Sequence, residues 1–129
     1  MNRVKKQLSV AALALLACIG SVSIAAPNAS AASGTITGSI NCFYGNNNVS
    51  GVWVNATNGT DGWATLSGSG SYKTYSYRLS QSSTYKLHVG CGGSPQSWGA
   101  TMYSPVVNQQ YADWVCSYSI SLGFFCALS

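Results

Sequence analysis

Hydrophobic and polar residues alternate with a period of two along residues 32–129. Short segments rich in β-branched and aromatic residues are separated by clusters of Gly, Asn, Ser or Pro, a pattern typical of strands joined by turns. It predicts strands at 35–43, 49–55, 62–67, 71–79, 84–90 and 97–103, and two more in the arms of the last cysteine loop. No stretch has a useful helical stripe, and residues 108–114 have room for one helical turn at most. We therefore expect one all-β domain, an antiparallel β-sandwich or barrel of about 6–8 short strands.

Turn-forming residues indicate how these strands connect. Asn58-Gly59 and Asp61-Gly62 favour a turn between the second and third strands, and residues 80–83 (SQSS) favour a hairpin between the fourth and fifth. If the second and third strands pair, Trp53 and Trp63 lie on the face away from the core. Regular alternation, which a single bulge would reverse, predicts that six residues around the SQSS link share one face: Tyr75, Tyr77 and Leu79, opposed by Tyr85, Leu87 and Val89.

The first 31 residues have a different character. A basic start (Arg3, Lys5 and Lys6) precedes an uncharged apolar run at 8–17, and the small residues Ala29-Ser30-Ala31 follow Pro27. This order is typical of a signal peptide, which predicts cleavage after Ala31 and leaves residues 32–129 as one extracellular domain.

Two alternatives to a cleaved signal peptide fit the sequence less well. A retained transmembrane anchor is disfavoured because the apolar run is short for a span of about 20 residues and is interrupted at Gly20, Ser21 and Ser23. A lipoprotein anchored through Cys18 is a minor alternative, since Leu15-Leu16-Ala17-Cys18 only approximates a lipobox and the chain stays apolar after it. Secretion is the prediction, with no transmembrane segment in the mature chain.

Removal of the signal peptide lowers the formal net charge from +4 to +1. The remaining charged residues are three cations, Lys73, Arg78 and Lys86, and two carboxylates, Asp61 and Asp113. A nucleic-acid partner needs a basic surface, which this chain lacks after cleavage. We expect no nucleic-acid binding and no polybasic attachment to a membrane surface.

Four cysteines remain after cleavage: Cys42, Cys91, Cys116 and Cys126. An even number in an oxidising compartment predicts two disulfides, for which three pairings are open. We favour Cys42 with Cys91 and Cys116 with Cys126, because the second pair flanks a segment with a Gly turn that brings its ends together. No C-x-x-C pair occurs and the one histidine, His88, is isolated, so we expect neither a metal nor a cofactor.

The mature chain has few residues suited to catalysis. A glycosidase needs two placed carboxyl groups, and Asp61 and Asp113 both lie where a turn or a cap would use an aspartate. A triad of His88, Asp113 and a serine has no G-x-S-x-G segment to support it. We expect no catalytic residues, and hence a protein that is not an enzyme.

Three segments resemble a known domain. They are VSGVWVNA (49–56), DGWA (61–64) and YKLHVGCGGSPQSW (85–98), which together give the pattern V-x-G-V-W-V, G-W-A and V-G-C-G-G-x-P-x-x-W. This pattern is similar to that of a small extracellular domain in predicted secreted and membrane-anchored proteins of actinobacteria. The resemblance runs from Cys42 to about Cys116 and implies an extracytoplasmic β-rich domain. It implies no activity and no site residues.

Aromatic and amide residues are the best candidates for binding. An indole stacks on the C–H face of a sugar while amides and hydroxyls bond to its hydroxyl groups, which points to Trp53, Trp63, Trp98 and Asn55 as candidate binding residues. The alternative is that a second sheet covers Trp53 and Trp63 and makes them core.

Two functions are consistent with the residues. The first is a non-catalytic binding or structural module at the cell envelope, with cell-wall or extracellular polysaccharide as its ligand. The second is a secreted antimicrobial protein or enzyme inhibitor with a protein target, presenting 77–79 (Tyr-Arg-Leu) or 92–98 as a rigid loop.

Overall fold

A computed structural model describes residues 31–44 and 47–129. Cys18 and all but the last residue of the expected signal peptide lie outside the described residues. Nine strands and no α-helix occur in the described part: β1 Thr35–Cys42, β2 Val49–Ala56, β3 Gly62–Trp63, β4 Thr65–Ser69, β5 Tyr72–Arg78, β6 Tyr85–Ser94, β7 Ser97–Tyr103, β8 Trp114–Ser119 and β9 Gly123–Leu128. Within the same residues, no apolar helix reaches the length needed to cross a membrane.

The nine strands form one sheet in the order β3-β2-β6-β7-β9-β8-β1-β5-β4. Only Ala64 separates β3 from β4, and its N–H donates to the Val52 carbonyl at 2.9 Å. Since β3 pairs with β2 and β4 pairs with β5, the bent segment 62–69 brings the two ends of the sheet together. The result is a nearly closed barrel, which confirms the predicted all-β class.

Three details of the strand arrangement differ from the sequence prediction. The third predicted strand is split at Ala64, which raises the count to nine, and β1/β8 and β7/β9 pair in parallel. The expected hairpin around residues 80–83 is wrong, because β5 pairs with β1 and β4 whereas β6 pairs with β2 and β7. Instead of making a tight turn, this link bonds to the start of the domain, with Leu79 N–H on Gly34 and Ser83 N–H on Ala32.

The single helical turn considered at 108–114 does not form. Within this segment Tyr111 makes an isolated bridge with Thr37, and Val107, directly before it, makes one with Tyr85. The Cβ of an alanine at Gly38 would lie 1.7 Å from the Ala112 carbonyl oxygen, so the segment packs directly on the β1 backbone.

Side chains predicted to share one face around residues 80–83 lie on the inside of the barrel. Five of the six residues predicted around residues 80–83 are buried: Tyr75, Leu79, Tyr85, Leu87 and Val89. Tyr77 is half-buried instead, with its hydroxyl donating to the Thr60 carbonyl at 2.6 Å. The alternation therefore predicted correctly which side chains share a face, although the predicted pairing of the two strands was wrong.

Buried aromatic residues inside the barrel are linked by hydrogen bonds. Trp114 Nε1 donates to the Tyr75 hydroxyl at 3.1 Å, and that hydroxyl donates to the Ala112 carbonyl at 2.8 Å. The Tyr85 hydroxyl donates to Gln109 at 2.7 Å. Burial raises the pKa of Tyr75 far above its ordinary value, so its phenol stays protonated and keeps donating. These bonds compensate for the loss of hydration of the polar atoms.

The two disulfides have the predicted pairing. Cys42–Cys91 joins β1 to β6, two strands that are not neighbours in the sheet, and Cys116–Cys126 joins the adjacent strands β8 and β9. Cys42 also faces Cys116 in the β1/β8 register, which places both bridges in one layer at the same end of the barrel. The first bridge therefore holds the barrel together across its interior.

Candidate functional site: tryptophans on the outer face of the barrel

Trp53 and Trp63 lie side by side on the outer face. They are direct partners in the β2/β3 register, and their rings meet edge to face with centroids 4.9 Å apart. Val52 and Val54, on either side of Trp53, are fully buried, so alternation sends the indole outward. Trp63 is 60% exposed, whereas Trp53 is half-buried by its neighbours. The alternative in which a second sheet buries both rings is wrong.

Trp98 joins them from a different hairpin. Its ring centroid lies 5.7 Å from that of Trp63, again edge to face at 79°. A Cβ at Gly90 would lie 2.2 Å from Trp98 Cδ2, and one at Gly51 would lie 2.9 Å from Cζ2. The indole therefore rests on bare backbone of β6 and β2, and a side chain at either glycine would displace it.

Two glycines at the end of β6 place Trp98 on this face. Met102 is fully buried, so simple alternation along β7 would turn Trp98 towards the barrel interior as well. Gly92 and Gly93 have φ of 78° and 72°, a backbone conformation that other residues rarely adopt. With the hairpin end twisted in this way, the Trp98 ring lies over Gly90 and Gly51 on the outside.

A depression on the outer face, here named the tryptophan groove, lies between these rings and the β6/β7 turn. Its volume is about 670 Å³, and it is lined by Trp63, Pro95, Gln96, Trp98 and Thr101. A smaller depression of about 300 Å³ adjoins it, sharing Trp63 and Pro95 and lined also by Ser50, Gly51, Val52, Ala64 and Leu66. None of these lining residues is charged, so the surface suits a neutral ligand with both apolar and hydroxyl groups.

The indole N–H groups of this cluster differ from that of the buried Trp114, which donates to Tyr75. Among the hydrogen bonds of residues 31–44 and 47–129, none uses Nε1 of Trp53, Trp63 or Trp98 as donor. In those same residues His88 Nε2 is the only side-chain nitrogen or oxygen that is buried without a partner. Within these residues the N–H groups of Trp53 and Trp98 are thus unbonded without being fully buried, and Trp98 Nε1 lies beside the Gly51 backbone, where an added Cβ would be 3.0 Å away.

Asn55 lies on the same face but in a different environment. Its side-chain amide donates to Asp61 Oδ2 at 3.1 Å, and Asp61 Oδ1 accepts from the Ala56 N–H at 2.8 Å. These bonds hold the turn between β2 and β3. Asn55 does not line the tryptophan groove.

His88 and Tyr103 extend the row of rings across the sheet. The registers run Trp63 to Trp53, Trp53 to His88 and His88 to Tyr103, and the last two rings meet edge to face at 5.0 Å. Burial is the main cause that lowers the pKa of His88, and the nearby charge of Lys86 lowers it further. At neutral pH the imidazole is therefore uncharged and belongs to an aromatic surface.

The two carboxylates are engaged in structural bonds. Asp113 accepts from both the N–H and the hydroxyl of Ser39, at 2.9 and 2.8 Å, and Asp61 holds the β2/β3 turn. Asp113 thus bonds to Ser39 rather than to His88. In the part of the chain that the structure describes, no three His, Cys, Asp or Glu side chains are grouped as a metal site.

Of the tryptophans singled out from the sequence, Trp63 and Trp98 line the groove, whereas Trp53 contacts Trp63 without lining it. The sequence analysis missed Pro95, Gln96 and Thr101 as lining residues. Pro95 and Gln96 lie inside the G-G-x-P-x-x-W segment, which signals a turn beside Trp98. Thr101 faces outward opposite Gly90 and carries no local signal of its own. No protein-family model matches the sequence, and neither the curated proteins nor the solved structures show a significant similarity to it.

Proposed function

We propose that residues 32–129 form a non-catalytic binding module, exported to the cell envelope, that binds neutral glycans through the tryptophan groove. The observation that carries this proposal is the grouping of Trp53, Trp63 and Trp98 on the outside of the barrel. Burying a large apolar side chain stabilises a fold by about 1.5–3 kcal/mol, so leaving Trp63 in water forgoes that gain. Exposed aromatic rings beside a groove that no charged residue lines match the chemistry of a neutral sugar ring.

Export is part of the same proposal. The signal-peptide pattern of residues 1–31, the resemblance to a secreted actinobacterial domain and the two disulfides support it. Cleavage after Ala31 would leave the paired Ala32 as the first residue, since its carbonyl accepts from Ser83. Intact-mass analysis of culture medium should find a chain that starts at or near Ala32, whereas a lipidated Cys18 in the membrane fraction would contradict export as a free protein.

Glycan binding can be tested with the purified mature protein. Pull-down on cell-wall and polysaccharide preparations should retain the protein, and replacing Trp63 or Trp98 by Ala should reduce retention. Tyr72→Ala is a matched control, because Tyr72 is an exposed aromatic residue on β5, away from the groove. Equal retention of all three variants would argue against the proposed site.

A second candidate is the secreted antagonist, supported by the exposed turn that follows Cys91. Residues 93–97 are exposed directly after the disulfide that anchors β6 to β1, so this loop has a rigid base. The other loop considered, residues 77–79, lies at the end of β5 with Leu79 buried, and does not project. A growth-inhibition assay with the mature protein tests this candidate independently of any glycan.

A further inference from the structure

We infer that the tryptophan groove takes a single strand of a neutral oligosaccharide built of pyranose rings with equatorial hydroxyls, and not the flat surface of a crystalline polysaccharide. This inference rests on the proposed glycan-binding function. It concerns the class of ligand that the geometry of the rings admits.

Ring orientation is the first step. A flat ligand surface needs aromatic rings that lie in one plane, so that all of them stack at the same time. The Trp63 ring makes 80° with Trp53 and 79° with Trp98. Because Trp63 is nearly perpendicular to both neighbours, the three rings cannot contact a common plane.

Because the two rings are nearly perpendicular, Trp98 forms the base of the groove and Trp63 forms its side. One face of the Trp98 ring is against the backbone of Gly51 and Gly90, which leaves the opposite face as the stacking surface. Trp63 rises beside it at 79° and stays 60% exposed. A single sugar ring can stack on Trp98 and touch Trp63 with its edge, an arrangement open to one chain but not to a packed layer of chains.

The polar residues of the groove indicate the kind of sugar. Gln96 offers an amide donor and acceptor, and Thr101 offers a hydroxyl. No Lys, Arg, Asp or Glu lines either depression, so a uronate or phosphate group would lose its hydration with no compensating charge. Equatorial hydroxyls leave the axial C–H groups as an apolar face for stacking, which selects neutral pyranoses of that configuration.

The length of the site follows from the adjoining depression. The two depressions meet at Trp63 and Pro95, so a chain that leaves the groove has a second surface to follow. The smaller depression presents the apolar side chains of Ala64 and Leu66. We therefore expect an oligosaccharide of several rings to bind more tightly than a monosaccharide.

The test compares soluble and crystalline forms of the same polymers. Tryptophan-fluorescence titration of the mature protein uses cellohexaose, chitohexaose and laminarihexaose, and depletion assays use microcrystalline cellulose and crystalline chitin. We expect saturable binding of at least one hexasaccharide, with tighter binding than its monosaccharide. Trp98→Ala should weaken binding by about tenfold or more, the loss expected from one stacked ring.

Gly90→Ala provides a second variant that keeps every ring. The added methyl group would displace the Trp98 indole from the β6 backbone, so Gly90→Ala should weaken binding as Trp98→Ala does. Tyr72→Ala should leave binding unchanged. Thermal unfolding of each variant shows whether the fold is intact. If Gly90→Ala does not fold, Trp98→Ala still decides the question.

The outcomes separate the inference from the proposed function. Depletion by crystalline polymer without binding of any hexasaccharide overturns the inference and leaves glycan binding standing. Preference for hexagalacturonate over the neutral hexasaccharides, or hexasaccharide binding that is insensitive to Trp98→Ala, also overturns it. Failure to bind any soluble, crystalline or cell-wall glycan overturns the proposed function itself.

Discussion

Trp114 and Trp63 show how one residue type serves two purposes on the two sides of the same sheet. Trp114 lies inside the barrel at 1% exposure, and its N–H donates to Tyr75, which is itself bonded to Ala112. Trp63 lies outside at 60% exposure, and its contacts with Trp53 and Trp98 are ring contacts. The inner tryptophan is held by packing and hydrogen bonds, whereas the outer one leaves a face and a donor unused. We therefore expect the inner ring to contribute more to the stability of the fold than the outer ring does.

Replacing each tryptophan by alanine tests this difference most directly. Trp114→Ala should lower the free energy of unfolding by about 3–5 kcal/mol, because it opens a cavity in the core and leaves the Tyr75 hydroxyl short of a donor. Trp63→Ala should cost less, about 1 kcal/mol for each of its two edge-to-face contacts. Urea unfolding of both variants measures the two losses. Similar losses would mean that Trp63 is structural after all.

The disulfides offer a second comparison, between a bridge across the barrel and a bridge between neighbouring strands. Cys42–Cys91 crosses the barrel and closes a loop of sequence separation 49, whereas Cys116–Cys126 joins neighbouring strands with a separation of 10. In the chain-entropy picture, replacing both cysteines by serine should cost about 4 kcal/mol for the first bridge and about 3 kcal/mol for the second. The melting temperatures of the two double variants measure this order. A larger loss for the hairpin bridge would contradict it.

Two tyrosines sharpen the contrast through their hydroxyl groups. Tyr75→Phe removes the acceptor for Trp114 and the donor for Ala112, both buried, and should cost about 1–3 kcal/mol. Tyr103→Phe is the matched control, because Tyr103 is 51% exposed and its ring packs on His88. It should change the free energy of unfolding by no more than about 0.5 kcal/mol. Equal effects of the two substitutions would show that the hydrogen bonds of Tyr75 make no net contribution to the free energy of unfolding.

We expect His88, on the outer face, to make the stability of the fold slightly dependent on pH. Its pKa is lowered in the folded state, so between that value and the ordinary 6.5 the unfolded chain binds a proton that the folded chain does not. Stability should therefore be full above the ordinary pKa and should fall as the pH drops below it. Thermal unfolding at about pH 7.5 and pH 5 measures the effect.

His88→Phe should remove that part of the pH dependence while it keeps a ring beside Tyr103. Lys86 and Asp61 are the charged residues that act on His88, and the variant keeps both. The same slope in the variant and in the parent protein would assign the effect to another group.

The alternation of hydrophobic and polar residues was enough to predict the strands and the outward position of Trp53 and Trp63. Periodicity is a local property, so buried Val52 and Val54 determine the direction of Trp53 whichever strand lies beside it. Cysteine number and the short segment between Cys116 and Cys126 likewise indicated the disulfide pairing. These features depend on neighbouring residues alone.

Strand partners and the completed groove were decided only by the tertiary structure. The sequence predicted a hairpin around residues 80–83, yet β5 and β6 lie apart in the sheet because that link bonds to residues 32–34. Trp98 reaches the outer face because Gly92 and Gly93 twist the hairpin end, and its seat at Gly51 comes from another hairpin. Such choices depend on contacts between residues far apart in sequence, and a change of twist at one position overrides the local alternation.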